Sequence, residues 1–548
     1  MSRYLVLLVI LAPTRAPAAE PEFVFTPEAV ERSGPPSGTL ARALRLYERR
    51  DFHAASILLY QVIKGETGDA VAHRQRAEFT LGKTLYHLGY HTAALTFFDR
   101  VLDKGERHRY HNATLKWLAA LSRRLPESAG ILKRVGGYTP AHLAQPALVE
   151  VRDRLRYLMG RHRYSKGRLD EAASLFEKVA PEADVYPRAR YMLGVVNVRL
   201  ERPERALAAF RVVIRKAGAT REGRRLREMA RLAAARVLFA LGRFDSSLDQ
   251  YDRIPQGSTR WLTAVFESGW TSFHRGKFAR ALGKLHTLRA PYFERHFFPE
   301  AHILQAVIYW RHCRWDRTRA ALDTFNRRYP RLKQQIDSLL ERNREANELY
   351  RLARRLRRGE GGELGLEEQV ARLARLALDD RSLVKQFAYV ERLGRDLARF
   401  READPAWRST GVAAEVLQDL ALQRSLAEVE AGQLARARLR RVSREIRKLT
   451  QQAIKVEYET IRAEKDWLQA ELQGYLVRRS GGSAAPFKVD DEHQFWPFEG
   501  PYAPWWRDEL DYYYVRVRSS CRDFTPRAAV KHPMAAMKVK DTPLDVSF

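Results

Sequence analysis

The chain has 548 residues, and its 97 Lys+Arg against 66 Asp+Glu give a formal net charge of +31. With 45% hydrophobic residues it can bury a sizeable core, which excludes a wholly disordered chain; two cysteines exclude a disulfide-framed fold and a Cys-rich zinc site. A charge this large implies an acidic partner, or a surface that repels its own copies.

The chain opens with a short basic segment, Met1-Ser2-Arg3, then an apolar run from Tyr4 to Ala12. That run is too short to span a bilayer and has the length of a signal-peptide core. Ala16-Pro17-Ala18 offers small residues where a signal peptidase reads, so cleavage is expected after Ala18 or Ala19. No later run approaches 18 apolar residues, so no transmembrane span is expected. The expected location is periplasmic or secreted.

A repeat begins near residue 39. Ala55 marks its first copy, and Leu81-Gly82, Leu85, Gly89, Ala94 and Phe98 mark the next. Ala129 marks a degenerate copy. Gly160, Gly167, Ala172 and Phe176 form another, followed by Leu193-Gly194, Ala206 and Phe210. Gly242, Phe244, Ser247 and Tyr251 continue the series, then Gly269, Gly276, Phe278, Ala281 and Leu285. Tyr309, Trp315, Thr318, Leu322 and Pro330 close it, with Pro330 expected to end the last helix. Small residues in this pattern sit where two helices cross closely, and large ones fill the space between neighbouring pairs.

Over residues 39–330 the chain resembles the tetratricopeptide-repeat family, although the family's Trp is missing from most copies. The resemblance implies an all-α solenoid of about seven to eight helix pairs, stacked as a right-handed superhelix. The first helix of each pair would line its concave groove. Carrying the family's groove positions onto this sequence gives Phe79, Lys83 and Tyr86, then Tyr157, Arg161, Tyr164 and Tyr191. Arg236, Phe239, Phe266, Trp270, Phe273 and Trp310 complete the set. Aromatic faces interleaved with cations suit extended peptides, acidic tails or sugars. For any one of these aromatics, packing between repeats is the competing use. The Lys-and-Asn clamp with which some relatives hold chaperone C-termini is missing from these positions.

Helix periodicity continues past the repeats. Residues 333–358 read as a helix ending in Arg351, Arg354, Arg355, Arg357 and Arg358, a run that suits a helix C-terminus and a solvated face. Gly359–Gly365 is a break, residues 366–402 resume helix, and Asp404-Pro405 stops it. Residues 411–473 contain no proline and, after Gly411 at their start, a single glycine, Gly432. Ala435, Leu439, Val442, Ile446, Leu449, Ala453 and Val456 alternate four and three apart, a coiled-coil seam for packing within the chain or against a second copy.

The tail is irregular and aromatic. Nine of the twenty residues 495–514 are Phe, Trp or Tyr, a load that requires docking. Docking on the chain's own helices is one reading. The other is a partner or glycan patch anchored by Trp505, Trp506 and Tyr512. An oxidising compartment would let Cys521 pair with Cys313, a pairing the sequence leaves open. The expected organisation is thus a signal peptide (1–18), a linker (19–38), the repeat solenoid (39–330), a helical extension (331–404), a long helix or coiled coil (405–479) and the tail (480–548). This ensemble also resembles envelope repeat proteins of delta-proteobacteria, including those of gliding-motility machinery, which implies a scaffold of a trans-envelope assembly.

Motifs for chemistry are missing: there is no H-E-x-x-H, G-x-S-x-G or C-x-x-C. Gly276-Lys277 lacks the Ser/Thr and the upstream glycine spacing of a phosphate loop. His108 and His111 have no ligand company. The chain is expected to be a non-catalytic scaffold with no cofactor and no metal, binding protein partners with acidic segments. An anionic wall or surface polymer is the alternative, and nucleic acid conflicts with export. Residues 331–548 hold 40 basic and 34 acidic residues, so +25 of the +31 lies in residues 1–330. An acidic partner is therefore expected on the repeats.

Overall fold

The computed structural model describes residues 34–293, 296–474, 476–477, 510–515, 517, 519–521 and 523–524. The described residues divide into two compact units. One holds 34–125, 138–152 and 404–416; the other holds 126–137, 153–403 and the described residues from 417 onward. The expected signal peptide and the Trp505-Trp506 pair lie outside the described residues.

The first unit contains α1 (Gly38–Glu48), α2 (Phe52–Lys64), α3 (Val71–His87), α4 (His91–Asp103) and α5 (His111–Arg124). Ser37 and Asp51 cap α1 and α2 by accepting from the Leu40 and Ala54 N–H groups. His108 is buried 3.3 Å from the Glu78 carboxylate, which Lys104 also pairs. The Asp404–Val416 segment belongs to this unit. Trp407 stacks on Tyr90 at 5.6 Å and donates to the Ser56 hydroxyl, while Glu415 accepts from Tyr60 and pairs with Arg100.

In the second unit a short helix, α6 (Ile131–Gly136), precedes the pairs α7 (Arg152–Ser165) with α8 (Leu169–Glu177) and α9 (Tyr186–Arg199) with α10 (Pro203–Lys216). They are followed by α11 (Arg221–Ala240) with α12 (Phe244–Asp252), α13 (Trp261–His274) with α14 (Phe278–Leu288), and α15 (Glu300–Arg311) with α16 (Trp315–Arg342). Each pair crosses in the same way. A small residue on the first helix and a large one sixteen positions later are both buried, as in Gly160 with Phe176, Gly194 with Phe210 and Ala235 with Tyr251. The first unit repeats this with Ala43 and Leu59, and with Gly82 and Phe98. A Cβ on Gly82 or Gly160 would come within 2.8 Å or 2.7 Å of the facing phenylalanine ring, so the close crossing requires glycine there. Ala55, Ala94, Ala172, Ala206, Ser247, Ala281 and Thr318 on the second helices are all fully buried. Ala129 is not; it sits in a short 3-10 turn before α6, where the repeat has degenerated.

The turn inside a pair holds one residue at positive φ: Gly89, Gly167, Gly242 or Gly276. Arg50, Glu201 and Cys313 take that position in the other pairs, at φ 62°, 55° and 54°. Pro330 does not end the last helix; α16 runs through it to Arg342. The buried stripe Phe325, Tyr329, Leu332, Ile336 and Leu339 carries the helix past the missing N–H, a loss worth about 3 kcal/mol in a helix interior.

The second half forms α17 (Ala346–Arg358), α18 (Glu368–Ala377), α19 (Arg381–Glu402), α20 (Pro405–Arg408) and α21 (Gly411–Leu472). The two expected helices are therefore each divided. A capping box between Glu345 and Glu348 restarts the chain at α17, and Asp380 caps α19 by accepting from the Ser382 and Leu383 N–H groups. The seam residues Ala435, Leu439, Val442, Ile446, Leu449 and Ala453 are buried within the chain. Ser443 donates to Asp337 of α16 at 2.6 Å, and Arg438 donates to the Ala377 carbonyl of α18 at 2.7 Å. Gly432, the interior glycine of α21, lies so close to the Ala346 carbonyl that a Cβ would overlap it. Among the described residues the only strands are β1 (Leu476–Val477) and β2 (Asp523–Phe524), paired antiparallel. No helix of the described residues is long and apolar enough to cross a membrane.

Candidate partner-binding face

In the first unit α3 carries Phe79, Lys83 and Tyr86 at helical spacing. Phe79 is only 4% exposed; it stacks on Tyr110 at 4.7 Å and tilts against Phe98, so it packs between repeats. The Lys83 ammonium lies 4.4 Å above the Tyr47 ring and 5.7 Å from that of Trp117. Tyr86 meets Trp117 and His91 edge-on. This end of the array is an aromatic box around one cation.

In the second unit the expected residues lie on the first helix of each pair. Tyr157 faces Phe176 and carries the Arg161 guanidinium at 5.6 Å. Arg161 pairs with Glu127, which Lys385 of α19 approaches to 3.4 Å. These two cations hold the Glu127 carboxyl below its usual range against the opposing effect of burial. Tyr164 carries Arg199 at 5.1 Å. Arg236 forks onto both Glu267 oxygens at 2.9 Å and 2.5 Å, and the Tyr251 hydroxyl donates to the same carboxylate at 3.0 Å. Phe239 meets His274 and Phe244, and Phe266 meets Phe298. Trp270 is 5% exposed and sets its edge against Phe273. The indole N–H groups of Trp270 and Trp310 are buried with no acceptor among the described residues.

Two of the three expected cations, Arg161 and Arg236, are thus bound to carboxylates of their own chain. Those left with surplus charge are different residues. Arg260, just before α13, shares its surroundings with Arg225, Arg236 and Arg381, and of these Arg260, Arg236 and Arg381 also act on Tyr191. Burial and then this crowding hold the Arg260 guanidinium below its ordinary range, with Tyr191 opposing. Burial pushes the Tyr191 hydroxyl up, against the pull of Arg260, Arg236 and Arg381. The Arg260 Nε is buried with no acceptor among the described residues. Arg225, Arg260 and Arg381 fall outside the repeat motif, and Arg381 comes from α19, so no spacing in the sequence pointed to them.

The tail lies on a second helix. Leu510, Tyr513 and Val515 enter the apolar core of α13 and α14. The Val515 N–H donates to the Ala279 carbonyl at 3.0 Å, and Asp511 pairs with buried Lys284 at 2.6 Å. Tyr512 is 46% exposed, so the anchoring falls to the buried Leu510, Tyr513 and Val515. Cys521 is disulfide-bonded to Cys313 in the turn between α15 and α16. Among the described residues no group of three or more His, Cys, Asp or Glu side chains is placed to hold a metal ion.

The tetratricopeptide repeat model matches residues 157–222, which run from within α7 to the first turn of α11. No curated protein matches the chain. Among solved structures, a tetratricopeptide repeat protein from Parabacteroides merdae is 14% identical, covering 53% of this chain and 91% of its own at a TM-score of 0.24. Pseudomonas aeruginosa pilF is 17% identical, covering 39% and 90% at 0.25. Yeast Tom70 is 12% identical, covering 72% and 95% at 0.20. The matched segment falls on two of the helix pairs, and its close crossing of a small residue against a large one recurs in the pairs before and after it. The tetratricopeptide repeat match is thus confined to residues 157–222, while the helix-pair crossing seen there recurs along the array.

Proposed function

We propose that the protein is an exported, non-catalytic scaffold of the bacterial envelope that binds partner proteins through the first-helix face of its repeats. The observation that carries this reading is the cluster of Arg260 and Arg381 about Tyr191, with Arg225 in the surroundings of Arg260. None of these three has a carboxylate partner among the described residues, and the Arg260 Nε lacks an acceptor. A buried donor without a partner is costly, so an acidic segment supplying carboxylates across this face would be stabilised there. The neighbouring aromatics Tyr164 and Tyr191 give an extended peptide apolar surface to lie on.

Export is supported by the basic-apolar-small pattern of residues 1–18 and by the Cys313–Cys521 disulfide, a bond that persists in oxidising compartments. A trans-envelope assembly, as the likeness to gliding-motility proteins implies, is one setting for such a scaffold. The test is binding to the mature full-length chain and to a Tyr191→Ala/Arg260→Glu variant of equal melting temperature. Loss of the bound envelope proteins by the variant supports the reading, and unchanged binding refutes it.

The excess of unneutralised guanidinium also suits an anionic wall or surface polymer. Salt separates the two: polymer binding should fall steeply between low and physiological ionic strength, whereas a packed protein interface should weaken much less.

A further inference from the structure

The arginine run that ends α17 does not behave as one solvated face. Arg355 turns to Glu360 and Glu363, with its closest contact at 2.5 Å. Arg354, Arg357 and Arg358 instead line a pocket of about 360 Å³ together with side chains of α19 and α21. The helical period explains the division: 350, 354, 357 and 358 share a face that 355 does not.

The floor of the pocket is aromatic. Tyr350 stacks on Phe387 of α19 at 5.4 Å, and both are buried. The Arg357 guanidinium lies 4.8 Å over the Phe387 ring, and its Nη1 is buried with no acceptor among the described residues. Across the pocket stands Arg424 of α21, whose Nε donates to Glu428 at 3.1 Å. Glu391 is the one carboxylate in the lining. Among the described residues no carboxylate forms an ion pair with Arg354, Arg357 or Arg358. Four guanidiniums thus face two carboxylates, Glu391 and Glu428, an excess of two positive charges. Gly394 leaves one wall open: a Cβ there would meet nothing nearer than the Arg424 Nη1 at 4.0 Å.

A guanidinium stacked on an aromatic ring keeps its N–H fork free in the ring plane, and that fork matches the oxygens of a carboxylate or phosphate. A buried guanidinium N–H without an acceptor is destabilised, and an oxyanion would satisfy it. We propose that this pocket binds a small oxyanion, a carboxylate or phosphate group, held by Arg354, Arg357 and Arg358 above Phe387. The site is separate from the cluster about Tyr191 and does not rest on the proposed partner-binding role.

The test is calorimetric titration of the full chain with inorganic phosphate and, separately, with glutamate, at constant ionic strength set by chloride. An Arg260→Gln background removes the contribution of the other cluster. Saturable binding is expected in at least one titration, and the stronger of the two identifies the source as phosphate or carboxylate. Arg357→Gln should weaken binding at least tenfold. Gly394→Leu should do the same by filling the pocket while leaving every charge in place. It serves as the second variant if Arg357→Gln alters the melting temperature. Arg351→Gln, on the same helix but outside the lining, should leave binding unchanged. The proposal is overturned if neither anion saturates, if Arg351→Gln weakens binding as much as Arg357→Gln, or if Gly394→Leu has no effect.

Discussion

At the scale of residues, glycine decides how closely two chain segments approach. A Cβ on Gly194 would be driven into the Phe210 ring, whereas one on Gly269 finds its nearest neighbour, the Lys284 Cβ, at 3.6 Å. Gly194→Ala should therefore destabilise the protein by about 1–3 kcal/mol through overpacking. Gly269→Ala should be neutral or stabilising by up to about 1 kcal/mol from helix propensity. Urea denaturation of the two variants checks the contrast. His302 offers a second test. Burial, then the charges of Arg289 and Arg328, pushes its imidazole down to about 4 from an ordinary 6.5, and its ring neighbour is Tyr329. The unfolded chain therefore binds a proton at this site below pH 6.5 that the folded chain refuses. The stability held above pH 6.5 is lost as pH falls toward 4, with a ceiling on the order of 3 kcal/mol for this group. His302→Leu should flatten the melting-temperature profile between pH 6.5 and 4 relative to the unsubstituted protein.

At the scale of elements, the tail is held by apolar anchors, one ion pair and one covalent bond. Gly283 sits under the Tyr513 carbonyl, where a Cβ would overlap it. Gly283→Ala should lift residues 510–515 off α14 without changing helix content, read as faster amide exchange in that segment and in its bed on α14. Reduction, or Cys521→Ser, opens a loop of 208 residues, for which chain entropy alone gives an upper value of about 5 kcal/mol. A melting temperature that is unchanged on reduction would show that the disulfide does not staple the tail. The elements themselves were largely legible from the sequence. Small residues at the crossings and glycines at the turns have local signatures, and the positions from Ala55 to Thr318 read from them are buried, the degenerate Ala129 excepted. Turns built on Arg50, Glu201 and Cys313 carry no such signature. The passage of α16 through Pro330 depends on apolar contacts that no local rule reveals. The aromatics expected in the groove do lie on first helices, but Phe79 and Trp270 are buried there as packing residues, and the charge of the face was not legible at all. Which arginines are neutralised depends on where Glu127, Glu267 and α19 fall, and these are tertiary facts.

At the scale of the whole chain, the surplus charge has an address. The net +31 is carried mainly by residues 1–330. Within the second unit several arginines pair with carboxylates of neighbouring repeats: Arg188 with Glu222, Arg202 with Asp170, Arg243 with Glu204 and Arg275 with Asp245. These exposed pairs contribute little each, typically below about 1 kcal/mol, and set the register of adjacent pairs more than their stability. Arg260 and Arg381 form no ion pair with a carboxylate among the described residues, and both act on Tyr191 of the first-helix face. The most direct measurement is capture of envelope proteins by the mature full-length chain and by Tyr191→Ala/Arg260→Glu, at physiological salt and with melting temperatures matched. The expected result is a defined set of acidic proteins retained by the first and lost by the second. The same set retained by both would contradict a partner-binding role for this face.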